Sequence, residues 1–377
     1  MRVLVCPQEF KGSLTAVDAT TALTRGVTLA DPQAQIDACP LADGGPGTVD
    51  ALVAAVGGRY TTTNVDGPLG DPVHARWGRF SDTAGDTAII EMAAASGLVL
   101  VPAERLDPRR ASTHGTGQLI LAALDAKVRR ILVGVGGSAT NDAGAGAVSA
   151  LGARLLDDDD RVLPPGGAAL AHLARIDTTG LDERLQRTEV VVLADVRNPL
   201  LGPEGATAVY GPQKGVDDAT QPLLEHALAN FADIVARDLG LDIATVPGGG
   251  GAGGLAAGLS AFAGATIQSG FTLIAETVAL PERIAQSDLV LTGEGRLDRQ
   301  SSFGKTVAGV AAMAAQANRP CLAVVGAHEG STDIEGLTDV EIATPPTLPL
   351  AEGMARADEL TAAAARRLIE RHTPERG

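Results

Sequence analysis

The chain has 377 residues, enough for two domains with separate cores. A hydrophobic fraction of 45% and a charged fraction of 20% belong to a folded globular protein, while 2% aromatic residues leave the cores to Ala, Val, Leu and Ile. A net charge of −16 opposes binding to nucleic acid or to an anionic membrane surface, although a local cluster of positive charge can still hold an anionic substrate.

Arg2–Cys6 reads as a buried strand that opens the fold. It is too short for a signal-peptide core and meets Pro7, so no leader is expected and a cytoplasmic location is. No stretch has the ~18 uncharged apolar residues of a membrane span. Thr15-Ala-Val-Asp18 has the spacing of a capping box and starts a helix that runs to about Ala30. Ile36–Cys39 is a second strand, followed by the loop Pro40–Gly47 and a helix over Val49–Val56. Tyr60–Val65, Val73–Phe80 and Thr87–Met92 form a meander of short strands.

Helix–strand alternation returns with Gly117–Asp125, Arg130–Val135 and a helix over Asn141–Leu151. Asp157–Asp160 is a solvated turn, and Glu189–Val196 is an apolar strand. Asp288–Thr292 and Cys321–Val325 are strands, Thr306–Ala317 is a helix, and Leu350–Arg371 is a long Ala-rich helix. The pattern predicts an α/β fold. A Rossmann-like, doubly wound, mostly parallel sheet domain takes 1–63 and 285–377, and a second mixed α/β domain, 64–284, is inserted in it.

Three scattered cysteines, Cys6, Cys39 and Cys321, form no C-x-x-C pair and read as buried reduced thiols. Of the 30 basic residues only four are lysine: Lys11, Lys127, Lys214 and Lys305. Three of them adjoin a glycine, at Lys11-Gly12, Lys214-Gly215 and Gly304-Lys305. A lysine is a compact point charge that can follow a moving phosphoryl group, whereas arginine is a rigid fork.

The strand ending in Gly134-Val135 runs into Gly136-Gly-Ser-Ala-Thr140, which Thr140 or Asn141 can cap into a helix. A strand, a glycine loop and a helix start aim backbone N–H groups at one point and make an anion site. Ser138 and Thr140 add hydroxyls, and Asp142 is either a helix-dipole residue or a Mg²⁺ ligand. Neither a dinucleotide fingerprint (Ala139 is in the way) nor a Walker A loop (Arg299 is) fits. Asp43 sits past a strand before two glycines. Glu294, Arg296 and Asp298 crowd a loop expected past the strand at 288–292, where arginine can pair with a substrate carboxylate or phosphate. Asp195 ends an apolar run and is a candidate base or metal ligand. His114 has no assignable carboxylate partner and reads as structural.

Taken in order, these segments resemble the bacterial glycerate kinase type I family over nearly the whole chain. They are Phe10-Lys-Gly-Ser-Leu14, Leu41-Ala-Asp-Gly-Gly45, Asp66–Pro72, Ile90–Gly97, Gly115-Thr-Gly117, Gly136–Asp142, Asn198–Gly202, Tyr210–Gly215, Gly251–Leu255 and Thr292–Arg296 through Gly304-Lys305. The resemblance implies ATP- and Mg²⁺-dependent phosphorylation of D-glycerate to 2-phosphoglycerate, in a cleft between the two domains, by a monomer or homodimer. Under it, Asp195, Lys11 and Lys305 are the expected catalytic residues. Gly136, Gly137, Ser138, Thr140, Asn141 and Lys214 would hold the nucleotide. Asp43, Glu294, Arg296 and Asp298 would hold the substrate, and Asp142 and Asp43 the metal.

The chain departs from the family pattern in four places: Pro46 where the family has Glu, Gln8-Glu9 in place of Asp-Ser, Ala194 in place of Cys, and Ala143 in place of Gly. Two alternatives stand beside this reading: a kinase for a related small hydroxy acid, and a catalytically weakened binding or regulatory paralogue.

Overall fold

The computed structural model describes residues 1–297, 306–328 and 334–372. The chain divides into two compact units, Met1–Asp43 with Asp50–Gly58 and Phe271–Gly377, and Gly44–Val49 with Arg59–Gly270. The bounds therefore fall after residues 43, 49, 58 and 270, where the sequence pattern suggested one after 63 and one after 284. Among the described residues, no helix is long and apolar enough to cross a membrane.

In chain order the strands are β1 (Arg2–Val5), β2 (Gln35–Ala38), β3 (Arg59–Asp66), β4 (Pro72–Asp82), β5 (Gly85–Glu91), β6 (Arg130–Gly134), β7 (Arg154–Leu156), β8 (Arg175–Asp177), β9 (Glu189–Leu193), β10 (Thr266–Gln268), β11 (Leu289–Leu297), β12 (Cys321–His328) and β13 (Asp339–Ile342).

The first unit holds a five-stranded sheet in the order β13-β12-β11-β1-β2. All of its pairings are parallel. Helices Ala16–Ala30 and Ala357–His372 pack against each other. Their Leu23, Val27, Leu368 and Ile369 close a core with Val3, Val5, Leu291 and Val324 of the sheet. Thr15 caps the first helix by accepting from the Asp18 amide at 3.1 Å, as its spacing predicts. The long C-terminal helix of the sequence reading is two helices, Leu350–Ala355 and Ala357–His372, broken at Arg356, whose φ of −105° and ψ of 13° leave helical geometry. The three cysteines are free and buried, and burial pushes the Cys39 thiol up to about 11.

The second unit holds a six-stranded sheet in the order β10-β9-β6-β5-β4-β3. Strands β3, β4 and β5 form the antiparallel meander. Strands β5, β6, β9 and β10 are parallel. Helices His114–Asp125, Ala145–Ala150 and Leu255–Ala263 bury Leu119, Ala147 and Leu259 on Ile131, Val133 and Val192. A further layer, with β7, β8 and the helix Gln221–Leu239, packs around Phe231, Val148 and Leu170.

Strand β11 runs on to Leu297, so Glu294 and Arg296 lie within a strand and not in a loop past it. The extension is held by β12, with Arg296 paired to Ala327 and Leu297 to His328. It also needs Gly295, where an added Cβ would stand 2.8 Å from the Lys11 amide nitrogen. Gly295→Ala should therefore cost ~1–3 kcal/mol, read by urea unfolding, and should shift the backbone at residues 10–11.

Candidate active site

In the first unit, the strand order reverses between β1 and β11, since β1 leads to β2 on one side and β11 to β12 and β13 on the other. Ligands of open α/β sheets bind outside the carboxyl ends of the strands at such a reversal. The segment after β1 carries Gln8, Glu9 and Lys11, and the one after β2 carries Asp43. Backbone bonds stitch these loops in place: Gln8 N donates to Gly293 O at 2.9 Å, and Leu41 N to Pro7 O at 2.9 Å. Gln8 Nε2 donates to Asp43 Oδ2 at 2.8 Å. Burial, and then the nearby Asp43 charge, raise the Glu9 carboxyl above its ordinary range, with Lys11 opposing. Lys11 and Arg296 are exposed, Asp43 is half-buried and Glu294 is buried. Cations for an anionic substrate and carboxylates for a proton or a metal thus gather at one strand edge.

In the second unit the parallel strands again point their carboxyl ends at the candidate residues. Gly136 and Gly137 follow β6, Asp195 follows the neighbouring β9, and Ser269 follows β10. Asp195 is exposed, and its Oδ1 accepts from Ser269 Oγ at 2.7 Å and from the Gly270 amide at 2.9 Å. That anchoring answers why a carboxylate ends an apolar strand. The glycine loop is packed backbone to backbone against Gly44–Pro46. An added Cβ at Gly134 would be 2.5 Å from Gly44 O, and one at Gly136 would be 2.6 Å from Gly45 Cα. Pro46 itself lies over the loop, 3.2 Å from where a Gly137 Cβ would stand.

The helix after this loop is shorter than its sequence suggests, Ala145–Ala150, because Ala143 and Gly144 take φ values of 52° and 78°. Its first amides are already used: Gly146 N donates to Asp142 Oδ2 at 3.2 Å and Ala147 N to Thr113 Oγ1 at 2.9 Å. Asp142 is fully buried, and its carboxylate also accepts from Thr113 N at 2.8 Å, Thr113 Oγ1 at 2.9 Å and Gly144 N at 3.2 Å. Four hydrogen bonds from within the chain, three to Oδ2 and one to Oδ1, make this carboxylate an anchor of the loop, where the sequence offered a helix-dipole residue or a metal ligand.

Thr140, Asn141 and Lys214, expected to hold the nucleotide, are likewise buried, and their side chains support the loop. Thr140 Oγ1 donates to Ala252 O at 3.4 Å, and Asn141 Nδ2 to Thr207 Oγ1 at 3.0 Å. Lys214 Nζ donates to Thr140 O at 2.7 Å. Burial lowers the Lys214 ammonium to about 7, against an upward pull from Asp142. Gly136 and Gly137 remain as the loop's accessible edge, with Gly137 exposed and Ser138 buried.

Asp298 and Lys305 lie outside the described residues. Sequence reading missed Ser269, which stands directly past a three-residue strand, and the Gln8–Asp43 bond, which no spacing rule signals. It also missed the partner of His114: Nδ1 stands 2.8 Å from Asp66 Oδ2.

Glycine turns and carboxylates at the ends of parallel strands, with Lys11 in the first unit, are the positioning and charge-neutralising groups that a phosphotransferase of the α/β class uses. The family model of the glycerate kinase family matches residues 3–373, and the chain belongs to that family of kinases. It is 43% identical over 369 residues to a glycerate kinase of Halalkalibacterium halodurans, covering 97% of both chains. It is 45% identical over 326 residues to the glycerate 2-kinase of Escherichia coli K12, covering 86% of this chain and 85% of that one. A crystal structure of a protein put forward as glycerate kinase 2 of Salmonella typhimurium LT2 superposes with a TM-score of 0.87 at 44% identity, over 97% of this chain and 96% of that one.

Two measurements check the inward-facing network. Asp142→Asn replaces acceptor lone pairs with N–H groups facing other N–H groups, and should cost ~2–4 kcal/mol in urea unfolding. The unfolded chain keeps the Lys214 proton up to the ordinary lysine range, while the folded chain releases it near 7. The unfolded state therefore binds more protons between these limits, and the Lys214 contribution to stability rises with pH from about 7 upward. Lys214→Met should gain most over the parent at and below pH 7, and that advantage should shrink steadily toward pH 10.

Proposed function

We propose that the chain transfers the γ-phosphoryl group of ATP to D-glycerate and forms 2-phosphoglycerate, with Mg²⁺ on the nucleotide. The observation that carries this reading is similarity along nearly the whole chain to proteins named glycerate kinase, one of them a glycerate 2-kinase.

Phosphoryl transfer asks a protein to position its reactants and neutralise charge more than to supply covalent chemistry. The backbone edge at Gly136, Gly137 and Ser138 is proposed to receive nucleotide phosphates, with Thr140, Asn141, Asp142 and Lys214 holding that edge rigid from behind. Asp195, clamped by Ser269 and the Gly270 amide, is proposed to accept the proton of the glycerate hydroxyl. Lys11 and Lys305 are assigned to the charge of the transferring group. Arg296 would bind the glycerate carboxylate, and Glu294 and Asp298 would orient it and the substrate hydroxyls.

Asp43 and Asp195 offer the hard oxygen donors that Mg²⁺ takes, and they lie at strand ends open to solvent. Among the described residues no group of three or more His, Cys, Asp or Glu is arranged around a metal. That fits an ion held by one or two carboxylates and mainly by phosphates and water, with Asp43 the proposed carboxylate. When bound, the ion neutralises phosphate charge.

A coupled ADP-release assay with D-glycerate and a panel of other small hydroxy acids tests the reading, with ³¹P NMR to locate the product phosphate. The parent should turn over D-glycerate best. Asp195→Asn should lower kcat by roughly 10²–10⁴-fold. Arg296→Ala should raise KM for glycerate about tenfold or more, in line with loss of a charge-assisted pair. Near-normal kcat in Asp195→Asn, or turnover of another acid in preference to glycerate, overturns these assignments.

A further inference from the structure

The second unit contains a cavity of about 200 Å³ that the roles above leave unused. Its floor is the first turns of the helix Ala145–Ala150, at Ala145, Gly146 and Ser149. Its walls are Leu155 of β7 and Leu163, Pro164, Pro165 and Leu170 from the segment after it. Its polar side chains are Ser112, His114 and Ser149. Among the described residues that line it there is no carboxylate, lysine or arginine. Such a lining rejects glycerate or a triphosphate, whose charges would lose water without gaining a counter-charge. It suits a flat, uncharged ring system with a few polar atoms on one edge.

The edge is chemically specific. His114 Nδ1 lies 2.8 Å from Asp66 Oδ2. Asp66 is itself fixed by Gln118, which donates to the same oxygen at 3.1 Å and accepts the Asp66 amide at 2.7 Å. In the tautomer that donates Nδ1–H to this carboxylate, Nε2 is an acceptor. The Ser112 and Ser149 hydroxyls can donate or accept. An acceptor flanked by hydroxyl donors complements the amino group and ring nitrogens of adenine. It opposes guanine, whose carbonyl oxygen would meet a second acceptor.

The cavity is also tied to the glycine loop. Asp142 accepts from Thr113, between the lining residues Ser112 and His114, and from Gly146 on the cavity floor. One buried carboxylate thus fixes the loop proposed for the phosphates and two walls of the cavity. We propose that this cavity is the adenine subsite, with the His114–Asp66 pair selecting ATP over GTP. The inference rests on the nucleotide-dependent reading given under Proposed function, and it names the subsite that reading lacks.

The test fills the cavity from its rim. Val162 lines it and is 58% exposed, so Val162→Trp leaves the core intact, and Ser149→Trp fills the cavity from the opposite side. Thermal melts confirm folding of each variant. Binding of ADP and of GDP is measured by calorimetry, alongside KM for ATP and for glycerate. The parent should bind ADP more tightly than GDP. Both variants should lose about tenfold or more in ADP affinity and in KM for ATP, while KM for glycerate moves less than about twofold. His114→Ala should bring ADP and GDP affinities together. Folded variants that keep the parent's ADP affinity overturn the subsite, even if the parent phosphorylates glycerate. A parent that binds ADP through the cavity but transfers nothing to glycerate keeps the subsite and overturns the proposed reaction. A parent that binds no ADP overturns both.

Discussion

The second unit depends on one buried carboxylate. Asp142 has lost its water and accepts hydrogen bonds from Thr113, Gly144 and Gly146. A buried charge is costly unless its lone pairs are satisfied. Burial accordingly raises the Asp142 carboxyl above its ordinary range, against the pull of these hydrogen bonds. The network reaches Lys214, whose ammonium feels the Asp142 charge and donates to Thr140 O. The glycine loop, the start of the helix Ala145–Ala150 and the start of the helix His114–Asp125 are therefore one object, held by charge and hydrogen bonds behind the surface.

Rigidity behind the loop frees its front for binding. Gly134 and Gly136 are needed where Gly44 and Gly45 press against them, so their small size answers first to backbone packing. The same contact brings Pro46, where the family carries an acid, against the loop's exposed tip. A charge is thereby absent from a surface proposed for phosphates, in keeping with a loop whose accessible donors are backbone amides.

The first unit solves a different problem with the same architecture. Its strand order reverses between β1 and β11, and the segments past β1 and β2 bring Gln8, Glu9, Lys11 and Asp43 beside the extended end of β11 with Glu294 and Arg296. Gln8 presents a neutral donor to Asp43 and so avoids a third carboxylate beside Glu9, whose own carboxyl is already raised by burial and by Asp43. The charges that a small anionic substrate requires are concentrated here, although the chain as a whole carries −16.

Much of this was legible in the sequence, because local rules act locally. Short strands between Gly, Pro and Asp turns marked the meander, Thr15 and Asp18 marked a helix start, and glycines with rare lysines marked the turns where chemistry sits. The ordered set of short segments placed the chain in its kinase family. Tertiary structure decided which polar residues face inward. Asp142, Thr140, Asn141 and Lys214 stand in the same motifs as Gly136 and Lys11, and spacing alone treats them alike. Only packing from distant segments, with Thr113, Thr207 and Ala252 among the partners, buries them and sets their side chains behind the loop. The reach of β11 to Leu297, the Asp66–His114 pair and the cavity beside it have the same origin: each needs partners far away in sequence, and a one-dimensional pattern carries no distance between them.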